Sequence, residues 1–258
     1  MIHLVHAVVS LGILIVVPLG LTLLPTRTTS TSWWFAFALP GVAALWLPRG
    51  PLSIALASVY LVGTLVLIGL ALRHFLQHRA VDPRVVALYT ALATPAIAAL
   101  ALVAERSSYE LFGFNLTVLS LTVAHFHFAG FAAALMAYLA ADGLAAVSVP
   151  LGTGIVLAGF FLGDPVELAG AVVLTTGMWL VGWKLGQRSR RTDRTTAILL
   201  TVSGAVLVLT MLLAVSWALG HVVDTPYLSL EWMVATHGVA NAVGFALCGV
   251  LAMRREGV

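Results

Sequence analysis

The chain has 258 residues, 61% of them hydrophobic and only 9% charged, with a mean hydropathy of +1.06. Soluble domains carry roughly 25% charged residues, so this composition excludes a single soluble core and predicts a polytopic membrane protein. The net charge of +3 comes from basic residues at span ends, which serve topology rather than nucleic-acid binding; the single Cys248 excludes an intrachain disulfide and a cysteine-built metal site.

Only helices or closed barrels satisfy their backbone in lipid. The apolar runs here are continuous rather than alternating, which predicts an all-α bundle. Nine spans can be drawn near the ~20 residues a bilayer needs: 2–24, 32–47, 51–72, 84–104, 116–141, 144–163, 166–185, 195–219 and 229–252. The segment Met1-Ile-His-Leu-Val-His6 has no basic n-region, so the first span reads as a retained helix rather than a signal peptide. The second span is short, starts at an interfacial Trp33-Trp34 pair and contains Pro40 and Gly41. It can be tilted, kinked or re-entrant, and the last case leaves eight spans. The connecting loops are short, so residues 1–258 are expected to form one integral membrane domain.

Charge fixes an orientation. With the N-terminus outside and the C-terminus inside, eleven of the thirteen basic residues fall inside: Arg27, Arg73, Arg79, Arg84, Lys184, Arg188, Arg190, Arg191, Arg194, Arg254 and Arg255. Only Arg49 and Arg106 fall outside, so the positive-inside rule is satisfied. His74 and His78 are placed in a basic inside loop, and the run around Arg188–Arg191 is expected to touch anionic lipid.

Polar side chains within spans are costly and mark function or a bundle interior. Two segments stand out: Leu121-Thr-Val-Ala-His-Phe-His-Phe-Ala-Gly-Phe131 and Thr236-His-Gly-Val-Ala-Asn-Ala-Val-Gly-Phe245. At ~1.5 Å per residue, His125 and His127 lie roughly 14 and 17 Å from the outer end of their span. His237 and Asn241 lie roughly 12 and 18 Å from theirs. Positions i and i+2 are about 200° apart on an α-helix, so only one of His125 and His127 can face a given site. His237 and Asn241, at i and i+4, share a face. Thr122 shares the face of His125. Glu105, Arg106 and Glu167 lie at outer span ends and are candidates to orient or complete the set. Each of these residues also has a purely structural reading, as a buried group satisfied by its neighbours.

Imidazole exchanges protons near neutral pH, and asparagine holds an oxygen. The set therefore suits acid/base chemistry (isomerisation, cyclisation or epoxide opening) on a lipophilic substrate in the bundle. His125, His127, His237, Glu167 and Glu105 are the candidate catalytic residues. Asn241, Thr122 and Arg106 are the candidate substrate-binding residues. No cofactor is required. One histidine from each segment could instead clamp a haem, which defines a redox alternative, and a metal ion on histidine and carboxylate is a weaker form of the same idea. A transporter or channel is a third reading, although the inner half of the bundle offers few polar groups for a through-path.

The Gly113-Phe114 pair leading into the Leu121–Phe131 segment, followed by His237-Gly-Val-Ala-Asn-Ala-Val-Gly-Phe245, resembles the YndJ-like family of bacterial integral membrane proteins over roughly residues 100–250. The chain departs from that family's Arg-Pro approach to the Gly-Phe, since Ser107 follows Arg106. The resemblance implies a multi-pass fold in a bacterial cytoplasmic membrane and assigns no reaction.

Overall fold

The computed structural model describes residues 1–24, 31–79 and 81–257. Arg27, one of the cations expected inside, lies outside the described residues. Among the described residues there is no strand. The described residues form nine long helices in order: α1 Ile2–Leu21, α2 Ser32–Trp46, α3 Pro51–His78, α4 Pro83–Arg106, α5 Leu116–Ala140, α6 Gly143–Leu162, α7 Asp164–Ser189, α8 Arg194–Val222 and α9 Leu230–Glu256. Eight are long and apolar enough to cross a membrane. The exception, α2, has 15 residues and a length of roughly 22 Å, short of the ~30 Å hydrocarbon core. Its helix continues through Pro40.

The helix starts follow from local chemistry. The first amides of a helix lack intrahelical acceptors and favour a preceding Asp, Asn or Ser. Asp82 Oδ1 accepts from the Arg84 and Val85 amides, Asn115 Oδ1 from Val118, Asp193 Oδ1 from Thr195 and Thr196, and Ser229 Oγ from Trp232. Pro51 and Pro165 occupy first-turn positions where a missing N–H costs nothing. One end differs from expectation. His74 and His78 are not in a loop: α3 runs to His78, whose Nδ1 lies 3.0 Å from the His74 carbonyl, and stops at Arg79 in the left-handed conformation (φ 47°).

The chain packs as two compact units. The N-terminal unit comprises Ile2–Ala80 and Tyr89–Ala132, and the C-terminal unit comprises Val81–Leu88 and Ala133–Val258 with Met1. The core of the N-terminal unit contains Ile13, Trp34, Tyr60, Leu67, Leu92, Phe126 and Phe131, all essentially inaccessible. At one end of this unit Glu105 sits between two arginines. Its Oε1 accepts from Arg49 at 3.0 and 2.6 Å, and its Oε2 accepts from Arg106 Nε. Arg106 Nη1 also donates to the carbonyls of Ala44, Leu45 and Leu47 at 3.1–3.2 Å. A helix that ends within the bundle leaves carbonyls without water, and this guanidinium satisfies those of α2.

In the C-terminal unit, helices associate by close backbone approach, as expected where lipid removes the hydrophobic incentive. A Cβ on Gly152 of α6 would stand 2.5 Å from the Leu174 amide nitrogen of α7. Three ion pairs gather at the ends joined by the α5–α6 and α7–α8 connections: Lys184–Asp142 at 3.2 Å, Arg188–Glu256 at 2.5 Å and Arg255–Asp193 at 3.5 Å. The C-terminus of α9 therefore shares this end with the start of α8.

Candidate functional site

Both segments singled out by their polar residues depart from regular α-helix. Phe126–Ala132 in α5, and Val234–Gly238 and Ala240–Leu247 in α9, are π-helical, as is Gly12–Val16 in α1. π-bulges are rare and concentrate at functional sites. Side chains in or beside three of these segments bond the carbonyl four residues back: His127 Nδ1 lies 2.6 Å from the Val123 carbonyl, Thr236 Oγ1 donates at 2.6 Å to Trp232, and Ser10 Oγ at 2.7 Å to His6. Ser58, Ser120 and Thr176 make the same bond within regular α-helix, so the bond alone does not set the π turns.

His127 is fully buried in the N-terminal unit. A carbonyl only accepts, so Nδ1 carries the proton and Nε2 is the acceptor; the Tyr60 hydroxyl donates to it at 2.6 Å. Tyr60 is held by close neighbours. Trp34 packs edge-on at 5.7 Å and fixes itself by donating Nε1 to the Ile13 carbonyl at 2.8 Å. A Cβ on Gly41 would stand 2.6 Å from Tyr60 Cγ. Every polar ring atom of His127 is thus used within the protein. His125, half-buried, packs its ring edge-on against Phe126 at 5.7 Å. Thr122 bonds its own helix through Val118 O at 2.8 Å.

His237 and Asn241 come together in the C-terminal unit, both half-buried. His237 Nδ1 donates to the Thr210 carbonyl at 2.7 Å. The Thr210 hydroxyl is shared between Val206 O and Asn241 Oδ1, each at 3.0 Å, which turns the Asn241 amide nitrogen toward the imidazole. That nitrogen lies 3.4 Å from Nδ1 and 3.3 Å from Nε2. A donor aligned with the Nε2 lone pair would stand much farther from Nδ1 than from Nε2. The near-equal distances therefore place the Asn241 nitrogen off that axis, to one side of the Nε2 lone pair.

The chain also matches a family model described as YndJ-like protein over residues 7–245. The chain belongs to the YndJ-like family. No curated protein and no solved structure matches it. In this YndJ-like protein the remaining candidates sit apart by role. Glu105 and Arg106 are consumed by the clasp on α2. Glu167 is half-buried in the first turn of α7, in the field of His221 and Asp164. The hydrogen bonds of His127 close within the N-terminal unit and those of His237 within the C-terminal unit. Among the described residues, no three His, Cys, Asp or Glu side chains gather as metal ligands would. Three partners were missed in the sequence: Tyr60, Thr210 and Arg49. Tyr60 and Thr210 are hydroxyls inside apolar spans, so the rule that singled out the histidines would have found them too.

Proposed function

We propose that this YndJ-like protein is an integral membrane enzyme that moves a proton on a lipophilic molecule, with His237 as the acid/base and Asn241 holding a substrate oxygen. The observation that carries this reading is a half-buried imidazole whose tautomer is set by Thr210 and whose Nε2 has Asn241 beside it rather than in line with its lone pair. In a keto-type substrate, neutral Nε2 takes a proton from carbon beside the carbonyl. The Asn241 amide donates to the oxyanion that develops, and the imidazolium returns the proton at a second carbon, giving an isomer with no net loss of atoms. The same proton transfers serve ring closure or epoxide opening. His127, with both nitrogens bonded, supports the fold in this scheme. The substrate would enter from the bilayer, and the membrane would be a bacterial cytoplasmic membrane with the N-terminus outside.

Solvent deuterium tests the proposal. Purified protein incubated in deuterated buffer with a total lipid extract is expected to incorporate deuterium into an extract component, and His237→Ala is expected to abolish this. No incorporation by the wild-type protein, or full incorporation by folded His237→Ala, rejects it. The Nε2 lone pair also supports a second reading, in which it binds a haem iron. A Soret band in the purified protein that disappears in His237→Ala would favour that reading.

A further inference from the structure

A groove of about 360 Å³ runs along one side of the α7–α8 hairpin, lined on α7 by Trp179, Trp183, Gly186, Gln187 and Arg190. Its floor exists because two backbones touch: a Cβ on Gly204 would stand 2.7 Å from the Gly182 carbonyl oxygen. Over Gly186 the space is empty, with nothing within 4 Å of where a Cβ would be. Trp179 forms a fixed wall, its Nε1 donating to the Leu207 carbonyl at 3.2 Å, and Trp183, one turn on along the same helix, stands 65% exposed.

Apart from Thr201 on α8, the groove is apolar until its end, where Gln187 and Arg190 meet the α7–α8 connection. From Trp179 to Arg190 it spans roughly 16 Å, about half the ~30 Å hydrocarbon thickness and so the depth of one leaflet. The charges at this end differ in a telling way. Lys184, Arg188 and Arg255 each face a carboxylate, whereas Arg190, Arg191 and Arg194 are exposed and have none among the described residues; of these three, Arg190 lines the groove. An unneutralised guanidinium at headgroup level above an empty one-leaflet channel complements a single class of molecule.

We propose that this groove is a binding site for an anionic phospholipid, its phosphate on Arg190 and Gln187 and one acyl chain over Gly186 along the two indoles. The proposal is independent of the chemistry assigned to His237. It is tested on the full chain reconstituted in phosphatidylcholine vesicles containing a small fraction of phosphatidylglycerol, with either lipid carrying brominated acyl chains. The emission contributed by Trp179 and Trp183, defined by its loss in the Trp179→Phe and Trp183→Phe variants, is read for quenching. Brominated phosphatidylglycerol is expected to quench it at a mole fraction about fivefold lower than brominated phosphatidylcholine, the discrimination one surface-level arginine confers. Arg190→Gln, an exposed position, is expected to equalise the two lipids. Gly186→Leu is expected to remove the preference and leave the equal quenching that exposed indoles receive from bulk lipid. Equal quenching of the wild-type protein, or selectivity that survives Arg190→Gln, overturns the proposal. So does protection from quenching that grows with protein density in the vesicle, which would seat a second copy of the chain on the groove.

Discussion

The Tyr60 hydroxyl lies 2.6 Å from Nε2 of His127, and neither side chain is accessible. Removing the hydroxyl leaves a buried acceptor with no donor and no water within reach. Tyr60→Phe is therefore expected to cost about 1–3 kcal/mol, read as a shift in the unfolding midpoint of the micelle-solubilised protein. Tyr109→Phe serves as the reference, since Tyr109 is 62% exposed. Equal midpoints for the two variants would remove the pair from the list of interactions that hold the N-terminal unit together.

Glu105 carries a heavier load. It is 1% exposed and Arg106 is 5% exposed, whereas Arg49 is 44% exposed at its side chain. Glu105→Gln strands a guanidinium that must stay buried to cap α2, so a loss of about 3–5 kcal/mol is expected. Arg49→Gln removes a partner that already reaches solvent, and its cost should stay within roughly 1 kcal/mol. Unfolding of both variants under one set of conditions gives the comparison, and a larger effect from Arg49→Gln contradicts the assignment.

The sequence rules succeed where the physics is local and one-dimensional. Span positions follow from apolar run length, and helix starts at Asp82, Asn115, Asp193 and Ser229 follow from side chains that accept backbone amides. Family membership was also legible, in the Leu121–Phe131 and His237–Phe245 segments. Partner identity was not. Tyr60 and Thr210 are each one hydroxyl in a long apolar run, and only packing brings them to His127 and His237. The π-helical turns left no mark on residue spacing either. Helix geometry predicted that His125 and His127 diverge. It did not reveal that His127 would be the one whose nitrogens are both bonded.

Close approach between α6 and α7 gives a contrast inside one helix. A methyl group on Gly152 would meet the Leu174 backbone at 2.5 Å, while one on Gly154 would meet nothing within 4 Å. Backbone cannot swing aside as a side chain can. Gly152→Ala is expected to lose about 1–3 kcal/mol by overpacking. Gly154→Ala should be neutral or gain up to about 1 kcal/mol from helix propensity. Unfolding midpoints of the pair check this, and similar losses at both sites would refute close packing of α6 on α7.

Asp193 links stability to pH outside the spans. The Thr196 hydroxyl, at 2.5 Å, is the main cause that holds its carboxyl below the usual range; the amides of Thr196 and Thr195 and the charge of Arg255 add to it against a partial opposing effect of burial. A group with a lowered folded pKa stabilises the fold above its unfolded value of ~3.9, and this contribution disappears as pH falls through the folded value. The difference in thermal midpoint between wild type and Asp193→Ala should thus be full at neutral pH and close in strong acid. A difference that persists unchanged there would show that the cap acts without its charge.

Orientation follows from which charges are already neutralised. The two basic residues that violate the positive-inside pattern, Arg49 and Arg106, are the two bound to Glu105. Glu105 therefore cancels one of their two charges. In the C-terminal unit, Arg190, Arg191 and Arg194 lie at the α7–α8 connection beyond the paired Lys184, Arg188 and Arg255, an uncompensated excess. By the positive-inside rule, an excess of this kind is expected to hold the α7–α8 connection inside. In a Cys248→Ala background, a membrane-impermeant maleimide should label Ser107→Cys in intact cells and Thr195→Cys only after lysis. Both positions are exposed, so access rather than burial decides the result. Labelling of Thr195→Cys in intact cells would reverse the topology and place the Glu105 clasp inside.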